Sequence, residues 1–277
     1  MKTPCSFVRI SVLLLLFSGV ASASTAGKST AEAKKQWYQD LRLNLFGWSY
    51  GPSFGQFGEG RGATSTGALG SPVTIGTQLN INAPAFGGFL YTAIEALTWS
   101  PFNATSQTTL LTPSNPAFGI AGTHIDRTDF SWWARYEIEP AVLSASVQRG
   151  EVLTARSVTV LTANLGPKRY WSLRAIVVPA WQVLNSGTTN SVYLMPSVSY
   201  IVHDRLSWML FLEAAYSRAA GDSFLSWSKA MDPNLAFGPV YSFKSGYWMQ
   251  PFVSTYPGGR INADTTFAGI YFGGRVL

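Results

Sequence analysis

Charged side chains set inside alternating apolar segments are the most chemically pointed feature of this 277-residue sequence. Arg42, Glu95, Arg135, Glu137, Glu139, Arg174 and Glu213 each fall in a stretch that otherwise alternates hydrophobic and polar residues. Trp133 shares the face of Arg135, Glu137 and Glu139. Glu95, Glu137 and Glu213 each lie seven residues past the start of their segments at 88, 130 and 206. Arg135 lies five past its start, and Arg174 four past a start at 170. Segments aligned at their starts would bring three carboxylates to one level, with two guanidiniums close by. Fixed charges around a conduit favour ions of the opposite sign. The same charges, paired with one another, would instead lock a packed interior. Both readings stand on the sequence.

Other chemistry is thinly provided. His124 and His203 are the two histidines. His203 stands beside Asp204 and Arg205 and reads as a polar turn residue; His124 ends a segment next to another short turn. No segment pairs Ser with His as a nucleophile and its base. Cys5 is the single cysteine, the histidines are far apart, and no Asp/Glu cluster lies outside the alternating segments, so no metal or cofactor is expected. The run Gly58-Glu59-Gly60-Arg61-Gly62 lacks the strand–loop–helix setting of a phosphate loop and reads as part of a mobile external loop.

The elements that must position the charges are strands. Hydrophobic residues make up 47% and charged residues only 12%, against about 25% charged in an average soluble domain. That balance excludes a disordered chain and a charged helical array. With 26 Gly, 15 Pro, 10 Trp, 12 Tyr and 17 Phe, it points to an all-β chain rich in turns. The charges are scattered, so the net +6 does not mark a nucleic-acid binder.

Twelve alternating segments follow residue 40: 41–50, 73–83, 88–100, 115–125, 130–143, 157–165, 170–183, 192–202, 206–217, 234–243, 247–256 and 265–277. Their connections alternate in length. Those at 84–87, 126–129, 166–169, 203–205 and 244–246 are short. Those at 51–72, 101–114, 143–156, 184–191, 218–233 and 257–264 are longer. Segments of this length suit tilted strands that cross a membrane, which need about 9–11 residues. Trp171 and Trp181 share a face ten residues apart, and Trp208 and Tyr216 eight apart, as aromatic girdles require. The apolar face of each segment then meets lipid and the charged face meets the interior. Pro179, Pro196, Pro239 and Pro251 fall inside segments and suggest bulges or bends.

Residues 1–23 read as a cleaved secretory signal: Lys2 and Arg9, an apolar run over 10–20, then Ala21-Ser22-Ala23. That run is too short to span a bilayer as a helix. Residues 24–40 read as a polar periplasmic tail and 41–277 as one barrel domain. The signal, the paired strands and the segment from Thr265 to Leu277 resemble a bacterial outer-membrane β-barrel protein of the porin-like class. The resemblance implies a single antiparallel up-and-down barrel of about twelve strands with both termini periplasmic. It implies outer-membrane lipid, small solutes and the barrel-assembly machinery as partners. The expected function is passive passage of small polar or charged solutes, without enzymatic activity. The pore lining would be Arg42, Glu95, Trp133, Arg135, Glu137, Glu139, Arg174 and Glu213. A closed structural or surface-interaction barrel is the alternative, and a lipid-modifying enzyme a third reading.

Overall fold

A computed structural model describes residues 41–54, 74–85, 88–99, 111–112, 114–166, 170–219, 221–223, 226–256 and 261–276. The signal, the polar tail, the Gly-rich run at 58–62 and most of the connections at 51–72 and 101–114 lie outside the described residues.

The strands are β1 (Arg42–Ser53), β2 (Thr74–Ala85), β3 (Gly88–Trp99), β4 (Leu111–Thr112), β5 (Ala117–Asp126), β6 (Phe130–Pro140), β7 (Glu151–Leu165), β8 (Trp171–Leu184), β9 (Gly187–His203), β10 (Leu206–Arg218), β11 (Ser228–Ser242), β12 (Tyr247–Thr255) and β13 (Thr266–Arg275). One short helix, α1 (Ser144–Gln148), lies between β6 and β7. Each strand pairs antiparallel with its neighbours, β1 pairs with β13, and β2 pairs with β3, so the sheet closes on itself. The two-residue β4 and the longer β5 both pair with β3 and form one interrupted strand of the wall. The result is a closed twelve-strand antiparallel barrel.

Closure leaves every long strand with a partner on each side, which removes the open edges that a sheet otherwise exposes. At the closing seam Gly47 on β1 stands opposite Phe272 on β13, and the Phe272 ring lies where a Cβ at 47 would be. A side chain at 47 would have to displace that ring. Gly246 in the turn between β11 and β12 has φ 83°, a left-handed conformation that glycine adopts without strain. Arg42 pairs with Asn82 near the β2–β3 turn, and Arg275 pairs with Asn44, so both ends of the barrel chain lie at the short-turn end.

Two loop expectations are corrected. Residues 184–191 do not form a long connection: β8 and β9 meet through a tight turn, with Leu184 opposite Gly187. Residues 143–156 hold α1, and β7 begins at Glu151. β9 has 17 residues and β7 has 15, so both reach beyond the segments expected from the sequence. At the start of β9, Thr188, Thr189, Asn190 and Ser191 are polar on both faces and period-2 patterning fades, whereas the start of β7 keeps Leu153 and Ala155 alternating with Thr154 and Arg156.

The prolines are a third correction. Pro179 faces Val192, Pro196 faces Ala175, and Pro251 faces Ile270, all without a register shift. Pro239 faces Trp208 in the same way. Each proline drops a ladder hydrogen bond on one side while strand register carries across it.

Candidate functional site: the barrel interior

Alternation sorts the side chains into two surfaces. The outward set is apolar and exposed: Phe118, Ile120, Tyr136, Ile138, Leu173 and Val253 are examples. Aromatics stand toward both ends of it. Trp171, Tyr200 and Trp208 cluster near the short turns, with Trp171 and Tyr200 ring centroids 4.9 Å apart, while Trp181 lies ten residues beyond Trp171. A soluble protein would not leave such a belt in water.

The inward set is divided. From β7 round to β1 it is mainly apolar and aromatic, including Val158, Ile176, Met195, Phe211, Phe252 and Phe267. The wall of β2, β6 and β7 carries Gln78, Asn80, Arg135, Glu137 and Arg156 instead, all buried. Both walls hold fully enclosed side chains: Arg135 and Phe211 are 1% exposed, and Tyr271 is fully buried.

Two polar centres are built into this interior. The first is an ion-pair array on β6 and β7. Arg135 Nε lies 2.7 Å from Glu137 Oε2. Arg156, directly opposite Glu137 across the ladder, donates through Nε to Glu137 Oε1 and through Nη2 to Glu139 Oε2, the latter at 2.7 Å. Alternate residues on β6 share one face, which is why Arg135, Glu137 and Glu139 stack along it. Toward the long-loop end the polar strip continues. Asn115 Oδ1 accepts the N–H groups of Val142 and Leu143 at 3.0 and 2.9 Å. Asn115 Nδ2 donates to Ser146 Oγ at 2.9 Å, and Arg149 Nη2 donates to the same oxygen at 3.2 Å. Arg149 Nε also donates to Glu151 at 2.8 Å.

The second centre surrounds Glu213 on β10. Its Oε1 accepts hydroxyl protons from Tyr193 on β9 and Tyr271 on β13, both at 2.9 Å. The Tyr271 hydroxyl is 2.7 Å from that of Tyr50 on β1. Asn234 stands opposite Glu213 on β11, and its Oδ1 accepts from Ser254 at 3.1 Å. The hydroxyl chain thus crosses the interior from β9 and β10 to β13 and β1.

No family model matches this chain, and no curated protein matches it. Solved structures do. An outer-membrane channel of the COG4313 group from Pseudomonas putida F1 aligns over 85% of this chain and 95% of its own, at 8% identity and a TM-score of 0.53. The fold is that of an outer-membrane β-barrel. NanC porin aligns over 83% of this chain and 97% of its own at 8% identity and a TM-score of 0.45. KdgM porin aligns over 83% and 98% at 11% identity and a TM-score of 0.44.

Within this β-barrel the charges do not form one ring. Arg135, Glu137 and Glu139 come together, and Glu213 sits apart among tyrosine hydroxyls. Trp133 points inward and packs against the apolar cluster. Arg42 is exposed at the chain-end side, its guanidinium 4.6 Å from the Phe89 ring centroid. Arg174 is partly exposed on β8, opposite Ser197. Glu95 lies opposite Gln78 in the ladder, and its side chain lies outside the described residues. His203 takes part in its own turn, its Nδ1 accepting the Arg205 N–H at 3.2 Å. His124 is exposed and lies against Trp132, with ring centroids 4.8 Å apart. Sequence reasoning missed Arg156, Tyr193 and Tyr271. Arg156 shares its parity with Val158 and Val160, a pattern that extending that strand toward Glu151 would have exposed.

Proposed function

We propose that the protein is an outer-membrane channel through which small polar or charged solutes pass passively. The observation that carries this reading is the array of Arg135, Glu137, Arg156 and Glu139 on the inner wall. Buried ion pairs are no better for stability than well-packed apolar side chains of similar volume, because desolvation offsets their attraction. An interior made only to fill the barrel would extend its apolar cluster over this wall too. Charged groups lining one wall instead lower the cost of bringing a polar solute inside.

A second reading, a closed structural barrel, is favoured by the near-complete burial of Arg135, Phe211 and Tyr271. Conductance separates the two. Purified protein in a planar bilayer should give discrete current steps, and vesicles containing it should release small solutes. Silence at every voltage, with no solute release, would establish the closed barrel.

The short-turn end, in this reading, faces the periplasm and the longer loops face outward. Ser245 lies in a short turn and Ser223 in the connection between β10 and β11. A membrane-impermeant maleimide applied to intact cells should label a Ser223→Cys variant and spare Ser245→Cys. The opposite pattern would invert the barrel.

A further inference from the structure

The polar strip has a charge order that speaks to the kind of solute. Going from mid-barrel toward the long-loop end it runs Arg135, Glu137, Arg156, Glu139, and then the pair Glu151 and Arg149. Among these six there are three guanidiniums and three carboxylates, each in an ion pair with another of the set. Accessibility rises along the strip. The side chains of Arg135 and Glu137 are 1% and 0% exposed, that of Glu139 is 17%, and that of Arg149 is 51%. The wall across the interior is mainly apolar and aromatic, interrupted by Glu213 and its hydroxyl partners.

We propose that this strip selects small zwitterions, solutes that carry an ammonium and a carboxylate on a short apolar linker. This rests on the channel reading above. A solute bearing a single charge can enter the strip only by separating an ion pair and satisfying one member of it. The other member is left with an uncompensated charge in a poorly solvated interior, the costly case. A zwitterion answers both members at once: its carboxylate takes a guanidinium and its ammonium takes the released glutamate. Ion pairs are exchanged and none is lost. Repeating that exchange from Arg149 and Glu151 inward moves the solute along a path of near-constant energy. The short linker asks for no hydrogen bonds of its own and can lie against the apolar side chains of the facing wall. A neutral polar solute offers only dipoles to the members of a pair and gains less from them than a zwitterion does.

The test is solute influx into vesicles containing the full-length protein, with four probes of similar size: β-alanine, lactamide, propionate and propylammonium. β-Alanine should enter faster than lactamide by on the order of tenfold, and both singly charged probes should lag. In Glu137→Gln/Arg156→Gln the ratio of β-alanine to lactamide should fall toward one. Should that variant fail to insert, Arg149→Gln/Glu151→Gln alters only the exposed end and should lower the ratio in part. A wild-type ratio near one, with lactamide passing, overturns the zwitterion inference and leaves the channel standing. A high ratio unmoved by the inserted variants also overturns it. Exclusion of all four probes sinks the channel reading, and this inference with it.

Discussion

Truncating Arg156 to alanine should destabilise the barrel by about 3–5 kcal/mol, the usual loss when one member of a buried ion pair is removed. Arg156 serves two carboxylates, Glu137 through Nε and Glu139 through Nη2. Its side chain is 5% exposed and that of Glu137 is fully buried, so water does not replace the lost donors. Arg135 remains beside Glu137, but Glu139 loses its guanidinium. The loss should appear in urea titrations of vesicle-inserted protein, as a lower midpoint with an unchanged slope. Replacing Arg135, Glu137, Arg156 and Glu139 together by Met, Leu, Met and Gln should restore most of the stability, because no charge is then stranded. Wild-type stability in Arg156→Ala would mean that water reaches the array freely.

The second large effect is expected at Glu213. Phenylalanine at both 193 and 271 should raise resting conductance by on the order of tenfold, the equivalent of about 1.4 kcal/mol on the barrier. Both hydroxyls donate to Glu213 Oε1; Tyr193 ties β10 to its neighbour β9, while Tyr271 ties it to β13, which is not its neighbour in the sheet. Tyr271 on β13 reaches Glu213 on β10 across the interior, with the rings of Phe252 and Phe211 packed beside it at 4.6 and 6.0 Å between centroids. Phenylalanine keeps the rings and removes the ties, so the aromatic wall should part more readily, with some loss of stability because the buried Glu213 carboxylate loses two donors. Single-channel recordings of wild type and the double variant in one lipid decide the matter. Equal open times would show that the hydroxyl chain stabilises the wall without restraining its movement.

How much could be read in advance follows from where each residue stands relative to water and lipid. On β6 the outer face is apolar and the inner face polar but for Trp133, so alternation is clear; on β9 and β10 the outer face is apolar over 192–202 and 206–216 while the inner face mixes Tyr193, Met195, Met209 and Phe211 with Ser197, Ser199 and Glu213. Arg135, Glu137, Glu139 and Glu213 fall on the inner side by parity alone. The same logic places Trp171, Trp181 and Trp208 outside, where the structure has them exposed. At the start of β9 both faces are polar, and the signal that separates strand from loop disappears; at the start of β7 Leu153 and Ala155 still alternate with Thr154 and Arg156, so Arg156 was legible by parity. The inner apolar wall was hidden for another reason. On β13, Phe267 and Tyr271 point inward while Ile270 and Phe272 lie on the other side, so both faces look hydrophobic and composition cannot tell lumen from lipid. Contacts across the lumen, such as Tyr271 with Glu213, depend on how far the barrel is flattened and filled. No local pattern along a strand encodes that.

The pairing of β1 with β13 has a consequence for the making of the protein. Asn44 and Arg275 are partners, and the Val276 N–H donates to the Leu43 carbonyl at 2.7 Å. β13 is the last barrel strand to be synthesised, so this pairing is the last that becomes available. Until then every partial sheet carries two raw edges, one of them always β1, ready to add a strand from another molecule. The hazard does not shrink as the sheet grows; it ends in a single event, when one strand satisfies both edges together. Protection of the edges is therefore all or none: it is absent from every partial sheet and complete once the seam closes.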